Sequence, residues 1–112
     1  MLRSPVHVFE ERSRAYANVG QHAEAIEACQ QALKLNPQDA VAWCLLGLAY
    51  VGTGQHAEAI DACRQALKIN PQDPKAWCGL GGAYSLAGRY AEAIEACHQA
   101  LKIEETSLSA CP

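Results

Sequence analysis

The chain has 112 residues, 50% of them apolar, and a formal net charge of −3. This composition fits one small domain and makes nucleic-acid binding unexpected, because that function usually needs a basic face. The sequence contains no run of about 18 apolar residues, so it predicts no membrane span. The opening MLRSPVHVFEERS lacks the apolar segment of a signal peptide. We therefore expect a soluble, cytoplasmic protein.

An internal repeat organises the whole sequence. Residues 20–39 return 34 residues later as 54–73 with three mild differences, and a third copy starts at Gly88. A fixed period of about 20–50 residues indicates stacked units, because each unit is too small to bury its apolar face alone. We predict a lead at residues 1–5, repeats at 6–39, 40–73 and 74–107, and a frayed tail at 108–112.

The first helix is predicted to start at Ser4-Pro5 and to run to about Asn18. Serine is a good N-cap, and proline at the first helical position loses a donor that has no partner there. Arg12 and Ser13 stand where later copies have a Leu-Gly pair. We interpret this polar pair as the mark of a terminal helix with one face open to water. The predicted buried side consists of Val6, Phe9, Ala15 and Tyr16.

The second helix of each repeat shows a clear apolar stripe. In the first copy, Ala25, Ile26, Cys29, Ala32 and Leu33 fall at helical spacing. Asn-Pro ends this helix near residue 35, because the residue before proline is pushed out of the α region. The same pattern predicts a fourth helix over about 55–69 and a sixth over about 89–103.

The third and fifth helices begin after aspartates. Asp39 is placed to cap a helix over about residues 40–51, and Asp73-Pro74 starts the next. Gly47 lies inside the third helix, where glycine costs roughly 1 kcal/mol against alanine. We therefore predict that a neighbouring helix comes close at Gly47. Further glycines, Gly20, Gly54 and Gly88, are placed to make the turns within the hairpins.

A set of aromatic, small and proline residues recurs in register at this period. The second copy has Trp43, Leu46, Gly47, Tyr50, Ala59, Ala66 and Pro71; the third has Trp77, Leu80, Gly81, Tyr84, Ala93 and Ala100; the first has Tyr16, Ala25, Ala32 and Pro37, with Phe9 in place of tryptophan. This pattern resembles the tetratricopeptide repeat. A pentatricopeptide array, its RNA-binding relative, usually has a 35-residue period and is more basic.

The resemblance implies an all-α fold, a superhelix of three antiparallel helix hairpins with six helices in all. It also implies a non-catalytic scaffold whose concave groove holds a peptide or a helix of a partner protein. The first helix of each pair lines that groove. Its expected residues are His7, Glu10, Arg14, Val41, Cys44, Leu45, Leu48, Lys75, Cys78, Gly79, Gly82 and Ser85, flanked by Glu11, Ala17, Asn18, Val51 and Leu86.

The middle of this expected groove is apolar, and its third part is almost bare of side chains. A contiguous exposed apolar patch usually marks a contact site, so we predict an apolar peptide or helical partner. Arg14, Glu10 and Lys75 would fix polar groups at the rim. The alternative is that these positions are partly buried or have drifted without a binding role.

One branch of the family grips a C-terminal carboxylate with a clamp of lysine, asparagine and arginine side chains. The matching positions here are Glu10, Arg14, Leu45, Lys75 and Gly79. Only Lys75 agrees fully, and Glu10 would repel a carboxylate. We therefore expect no chaperone-tail ligand.

The end of the array differs from many family members, which carry an extra helix that shields the last pair. Nine residues follow Ile103 and end in proline, so no seventh helix is predicted. The apolar edge of the sixth helix would then stay open. An alternative function is therefore a module that forms homo-oligomers through this C-terminal pair.

The cysteines follow the repeat. Cys29, Cys63 and Cys97 are 34 residues apart, as are Cys44 and Cys78, which favours a packing role over a disulfide framework. Cys111 lies outside the period and is expected to be an exposed thiol.

Metal and catalytic sites are not expected. The sequence has no CxxC, HxxxH or HExxH motif, and His22 and His56 occupy a position where Tyr90 stands in the third copy, which suggests turn packing. Paired glutamates such as Glu24 and Glu27 lie on a predicted solvated face, and the sequence builds no cleft there for a general acid. We predict a protein that is not an enzyme and has no cofactor.

Overall fold

The computed structural model describes the backbone of residues 5–18 and 20–110 and the side chains of residues 8–16 and 20–104. Within these ranges every regular element is an α-helix, as predicted. The helices are α1 (Pro5–Asn18), α2 (His22–Leu35), α3 (Ala40–Gly52), α4 (His56–Ile69), α5 (Pro74–Leu86) and α6 (Tyr90–Ala110).

The six helices form three stacked hairpins. Each odd-numbered helix packs along the even-numbered helix that follows it, and α2 and α4 pack against the next hairpin. The odd-numbered helices also contact one another, α1 with α3 and α3 with α5, whereas the even-numbered helices that are described do not. The stack therefore curves with α1, α3 and α5 on its inner side, which is the predicted superhelix.

Local sequence signals fix the hairpin turns and helix starts. Gly20, Gly54 and Gly88 have φ angles of 80°, 80° and 82°, a left-handed conformation that costs glycine little. The carboxylate of Asp39 accepts a hydrogen bond from the backbone N–H of residue 41 at 3.1 Å, and Asp73 accepts the equivalent bond at 3.0 Å. Both aspartates therefore cap their helices as predicted.

The helices of one hairpin come close together at the glycine of the Leu-Gly pair. A Cβ atom added to Gly47 would lie 2.6 Å from Cys63 Sγ and 3.3 Å from the carbonyl oxygen of Ala59. In the third hairpin, a Cβ on Gly81 would lie 2.9 Å from Cys97 Sγ. The predicted close approach at Gly47 is confirmed, and α4 is the helix that makes it.

Arg12 and Ser13 were both expected to face water. This expectation is correct for Arg12 and wrong for Ser13. Arg12 is exposed, but Ser13 is 1% exposed and shares a hydrogen bond with Cys29 Sγ at 2.9 Å. Serine occupies the place of Gly47 because it is small, and its hydroxyl finds a partner in the neighbouring thiol. The expected burial of Ala15 is also wrong, since its side chain is exposed.

Two expected buried aromatic residues of α1, Phe9 and Tyr16, are half-buried. The side chain of Val6, which completed the predicted buried face of this helix, lies outside the described residues. The terminal hairpin thus buries its aromatic side less fully than the sequence pattern predicts.

Helix α6 does not end at Ile103 but continues to Ala110, so the predicted frayed tail is wrong over residues 108–110. In the first two repeats an Asn-Pro pair ends the second helix, whereas Glu104-Glu105 stand at those positions in the third. Glutamate is a good helix former, and no proline or glycine interrupts the following residues. Nothing in the sequence therefore stops the helix at 103.

The packing role predicted for the cysteines holds for three of them. Cys29, Cys44 and Cys63 are buried, whereas Cys78 and Cys97 are exposed. Cys97 repeats the position of Cys63, but no later helix among the described residues packs on its side of α6. Cys111 lies outside the described residues.

Candidate functional site

The inner side of the stack contains an open hollow of about 350 Å³ between α3 and α5. It is surrounded by two side chains of α3, by residues 74–82 of α5 and by one residue of α6. Its lining residues are Leu48, Val51, Pro74, Lys75, Cys78, Gly79, Gly82 and Glu104. We call this hollow the groove.

The surface of the groove is largely apolar. Leu48, which lines the groove, is 45% exposed. A Cβ added to Gly82 would meet no atom within 4 Å, so the helix backbone there is open to a ligand. Desolvation raises the pKa of the Cys78 thiol, and Cys97 and Glu104 raise it further. The thiol therefore stays neutral near pH 7.

Charged side chains in the groove come from two helices. Lys75, at the start of α5, and Glu104, near the end of α6, are the charged residues among those that line it. Both are exposed. A bound segment would therefore meet one positive and one negative group beside an apolar floor.

The structure brings part of the predicted site together. The predicted residues that line the groove are Leu48, Val51, Lys75, Cys78, Gly79 and Gly82. Arg14, Val41 and Ser85 are exposed on the same set of helices but do not line it. The side chain of His7 lies outside the described residues.

Three predicted groove residues are packed into the protein instead. Glu10 is 7% exposed and Cys44 is 5% exposed, so the rim role expected for Glu10 is wrong. Cys44 packs in a core cluster with Ala66 and Ala76. Leu45 is half-buried and packs against the cluster that contains Cys29. For these three positions, the alternative interpretation given above, burial instead of a place in an open groove, agrees better with the structure.

Two lining residues, Pro74 and Glu104, were not among the predicted site residues. The sequence pattern marks Pro74 only as a helix-start residue. It predicts that the sixth helix ends at Ile103, before Glu104, and so assigns Glu104 no position on a helix face. The missing Asn-Pro pair at 104–105 was the available signal.

A metal centre finds no support in the described residues: no group of three or more histidine, cysteine, aspartate or glutamate side chains there could hold an ion. The ring of His22 packs against Gly52, the last residue of α3, since a Cβ added to Gly52 would lie 2.5 Å from the ring. This contact confirms the predicted packing role of His22. No helix within the described part of the chain has the length and apolar character needed to cross a membrane.

Two sequence profiles match this chain, and both describe the tetratricopeptide repeat. One covers residues 11–74, and the other covers residues 50–110. The chain belongs to the tetratricopeptide repeat family. The resemblance seen in the recurring Trp, Leu-Gly and Tyr positions is thereby confirmed, and no protein with a curated description matches the sequence.

Solved tetratricopeptide repeat structures share this fold. A crystal structure of MamA is similar with a TM-score of 0.83 and 31% identity, over 93% of this chain and 61% of that one. The tetratricopeptide repeat domain of Arabidopsis OM64 gives 0.85 and 27%, over 89% and 83%. The first such domain of human RPAP3 gives 0.87 and 24%, over 91% and 82%. This chain thus spans about three fifths of the MamA chain that it matches.

Proposed function

We propose that this tetratricopeptide repeat protein is an interaction scaffold whose groove binds an apolar segment of a partner protein. The observation that carries the proposal is that the exposed side chain of Leu48 and the bare backbone of Gly82 line the same groove. Full burial of a leucine side chain contributes about 1.5–3 kcal/mol. An exposed leucine next to an open helix surface is therefore a favourable anchor point for an apolar side chain.

Polar groups at the groove would set the direction of the bound segment. Lys75 attracts an acidic group, and Glu104 attracts a basic one. Charged groups at the edge of an interface contribute more to orientation and association rate than to affinity. An apolar segment with an acidic residue toward Lys75 and a basic residue toward Glu104 fits this arrangement best.

An acidic chaperone peptide fits less well. A tetratricopeptide repeat domain of Spaghetti (RPAP3), 24% identical to this chain, has been solved with the HSP90 peptide SRMEEVD. Among the described residues that line the groove, Lys75 is the one basic residue, and Glu104 would repel a run of carboxylates. This charge pattern supports an apolar ligand and not an acidic one.

Leu48→Asp is expected to abolish binding of peptides selected against the wild-type protein from a random display library of short segments. The substitution removes the apolar contact and places a charge where the ligand would have to desolvate it. Fluorescence anisotropy with a labelled selected peptide measures the loss, which we expect to exceed about tenfold in Kd, since a lost leucine contact alone is worth roughly that factor.

Leu35→Asp is the matched control, because Leu35 is 54% exposed on α2 and away from the groove. This variant should bind the peptide as the wild type does. Equal binding by the Leu48 variant, or equal loss in both variants, would contradict the groove proposal.

A second candidate function is self-association through the outer face of α6. Ile94 is 58% exposed, whereas Ile60, at the same place in the preceding repeat, is 6% exposed. Leu101 is 56% exposed on the same helix. In the described part of the chain no helix covers these side chains, and a second copy of α6 offers a matching apolar face.

Light scattering on a concentration series tests this second function. We expect the wild type to show the mass of a dimer at high concentration and the Ile94→Asp/Leu101→Asp variant to stay monomeric, because the charges would be buried without partners. Both substituted side chains are already exposed, so the variant should keep its helical circular dichroism. A wild type that stays monomeric throughout the series would refute self-association.

A further inference from the structure

Each repeat also carries a hollow between the aromatic residues of its first helix and acidic residues of its second. In the middle repeat Trp43 and Tyr50 face Glu58 and Asp61, with the amide of Gln65 at the edge. Equivalent hollows lie 34 residues before and after. We call the one between α3 and α4 the middle hollow. It shares no lining residue with the groove.

The hollow of the first repeat holds an arginine of the chain itself. Arg12 lines this hollow, and its guanidinium carbon lies 5.8 Å from the centre of the Phe9 ring. A guanidinium within about 6 Å of an aromatic ring centre is attracted by the ring's electron-rich face. Carboxylates of Glu24 and Glu27 line the same space.

In the third repeat, two arginines contact Tyr84, a residue that lines the equivalent hollow. The guanidinium carbon of Arg89 lies 4.8 Å from the Tyr84 ring centre, and Arg89 forms an ion pair with Glu92. Arg64 lies 5.9 Å from the same ring and donates a hydrogen bond to the Tyr84 hydroxyl at 2.6 Å. One ring and one carboxylate that line this hollow, those of Tyr84 and Glu92, therefore have a cationic partner.

The middle hollow has no such partner within the described part of the chain. Leu46, Gln55 and Gln30 stand at the positions of Arg12, Arg89 and Arg64. Among the described residues, no hydrogen bond or ion pair engages the carboxylates of Glu58 and Asp61. The middle hollow is also the largest of the three, at about 460 Å³ against about 150 and 230 Å³.

We propose that the middle hollow binds the guanidinium group of an arginine side chain supplied by a partner protein. In both flanking repeats a guanidinium group lies over a ring that lines the equivalent hollow, and in the third repeat it also pairs with the lining residue Glu92. Tryptophan gives the strongest cation–π attraction of the aromatic residues. The middle hollow contains Trp43, whereas Phe9 stands at that position in the first.

Arginine fits better than other cations because its planar group both stacks on a ring and donates several hydrogen bonds to carboxylates. Glu58 and Asp61 lie one helical turn apart on α4, so one guanidinium can reach both. A quaternary ammonium would leave these carboxylates without donors. With both sites, the groove and the middle hollow would bind two parts of one partner. The proposal for the middle hollow does not depend on the proposal for the groove.

The indole N–H signals of the two tryptophans provide the test. Trp43 Nε1 donates to the carbonyl of Pro37 and Trp77 Nε1 to that of Pro71, both at 2.9 Å, so the two reporters have matched surroundings. Titration of the whole protein with N-acetyl-arginine amide should shift the Trp43 signal in proton–nitrogen correlation spectra and move the Trp77 signal much less. N-acetyl-citrulline amide, which is uncharged, should shift neither.

Two variants separate a specific site from general charge attraction. Gln55→Arg reproduces the contacts of Arg89 with Tyr84 and Glu92, so the new side chain should occupy Tyr50 and Glu58 and weaken probe binding by about tenfold. Glu58→Gln/Asp61→Asn should weaken it by a similar factor. All three positions are exposed, so the variants should fold. A Trp43 shift that persists in both variants would overturn the proposal.

The remaining outcomes decide what supplies the guanidinium. Free arginine should bind no better than the capped probe. Its main-chain carboxylate would need a basic group, and none of the described residues that line the middle hollow is basic. A clear preference for free arginine would contradict the proposal of a protein partner and would indicate an amino-acid ligand. A Trp43 signal that shifts with protein concentration alone would also contradict a separate partner protein and would indicate binding to a second copy of this chain. Equal movement of both tryptophan signals would overturn the site itself.

Discussion

Gly47→Val is expected to destabilise the protein by about 1–3 kcal/mol, the usual cost of overpacking a close contact. Helix propensity alone would favour the substitution slightly, because glycine is the poorer helix former. Packing opposes it, since the added Cβ would lie 2.6 Å from Cys63 Sγ and 3.3 Å from the backbone oxygen of Ala59. Cys63 is fully buried, so its sulfur has little room to move.

Gly82→Val is the matched control for this prediction. Gly82 also lies inside a helix, but no atom lies within 4 Å of its Cβ position, so only helix propensity should act there. Urea unfolding followed by circular dichroism gives both free energies of unfolding. Cys63→Ala should restore part of the loss in the Gly47 variant, because it removes the atom that Val would meet first. Equal stabilities of the two glycine variants would contradict the prediction.

Local signals in the sequence predicted most of the fold. Turn glycines with positive φ, aspartate caps and Asn-Pro stops act within a few residues, so they can be interpreted without knowing the rest of the structure. The end of α6 was missed because the third copy was expected to stop where the first two do. Glu104-Glu105 carry no stop signal, and the longer helix brings Glu104 to the groove.

Burial of individual groove positions could not be predicted in the same way. Cys44 and Cys78 share one repeat position, yet Cys44 is buried and Cys78 is exposed. The difference depends on what packs against each helix, since Cys44 contacts Ala66 and Ala76 of the next elements. Ser13 is a different case, because its alignment with Gly47 and Gly81 already indicated a place where only a small side chain fits.

Raising the pH above 9 is expected to destabilise the protein steeply, because three buried thiols hold their protons more tightly when folded. Burial raises the pKa of Cys29 and Cys44 from 9.0 to about 11 and that of Cys63 to about 12. The hydrogen bond from Ser13 opposes part of this rise at Cys29. No charged group close to Cys63 offsets its desolvation.

The direction of the effect follows from the protons bound in each state. Below pH 9 these thiols are protonated in both states, and the full stability is present. As the pH rises from 9 toward 11 and 12, the unfolded chain loses protons that the folded protein keeps, which favours unfolding. Each thiol then contributes about 1.4 kcal/mol of destabilisation per pH unit. Three such groups can together cancel a typical total stability of about 5–15 kcal/mol.

The test is the free energy of unfolding, measured in urea from about pH 8 to 11 under reducing conditions. It should fall less steeply with pH for Cys63→Ala than for the wild type, and the difference in slope should equal the contribution of one thiol. Ile60→Val is the control, since it loosens the same buried cluster but keeps every thiol, and it should lower the curve without changing its slope. Tyrosine and lysine titrations are common to all three proteins and cancel in the comparison. Parallel curves for the wild type and the Cys63 variant would show that the buried thiol does not control alkaline stability.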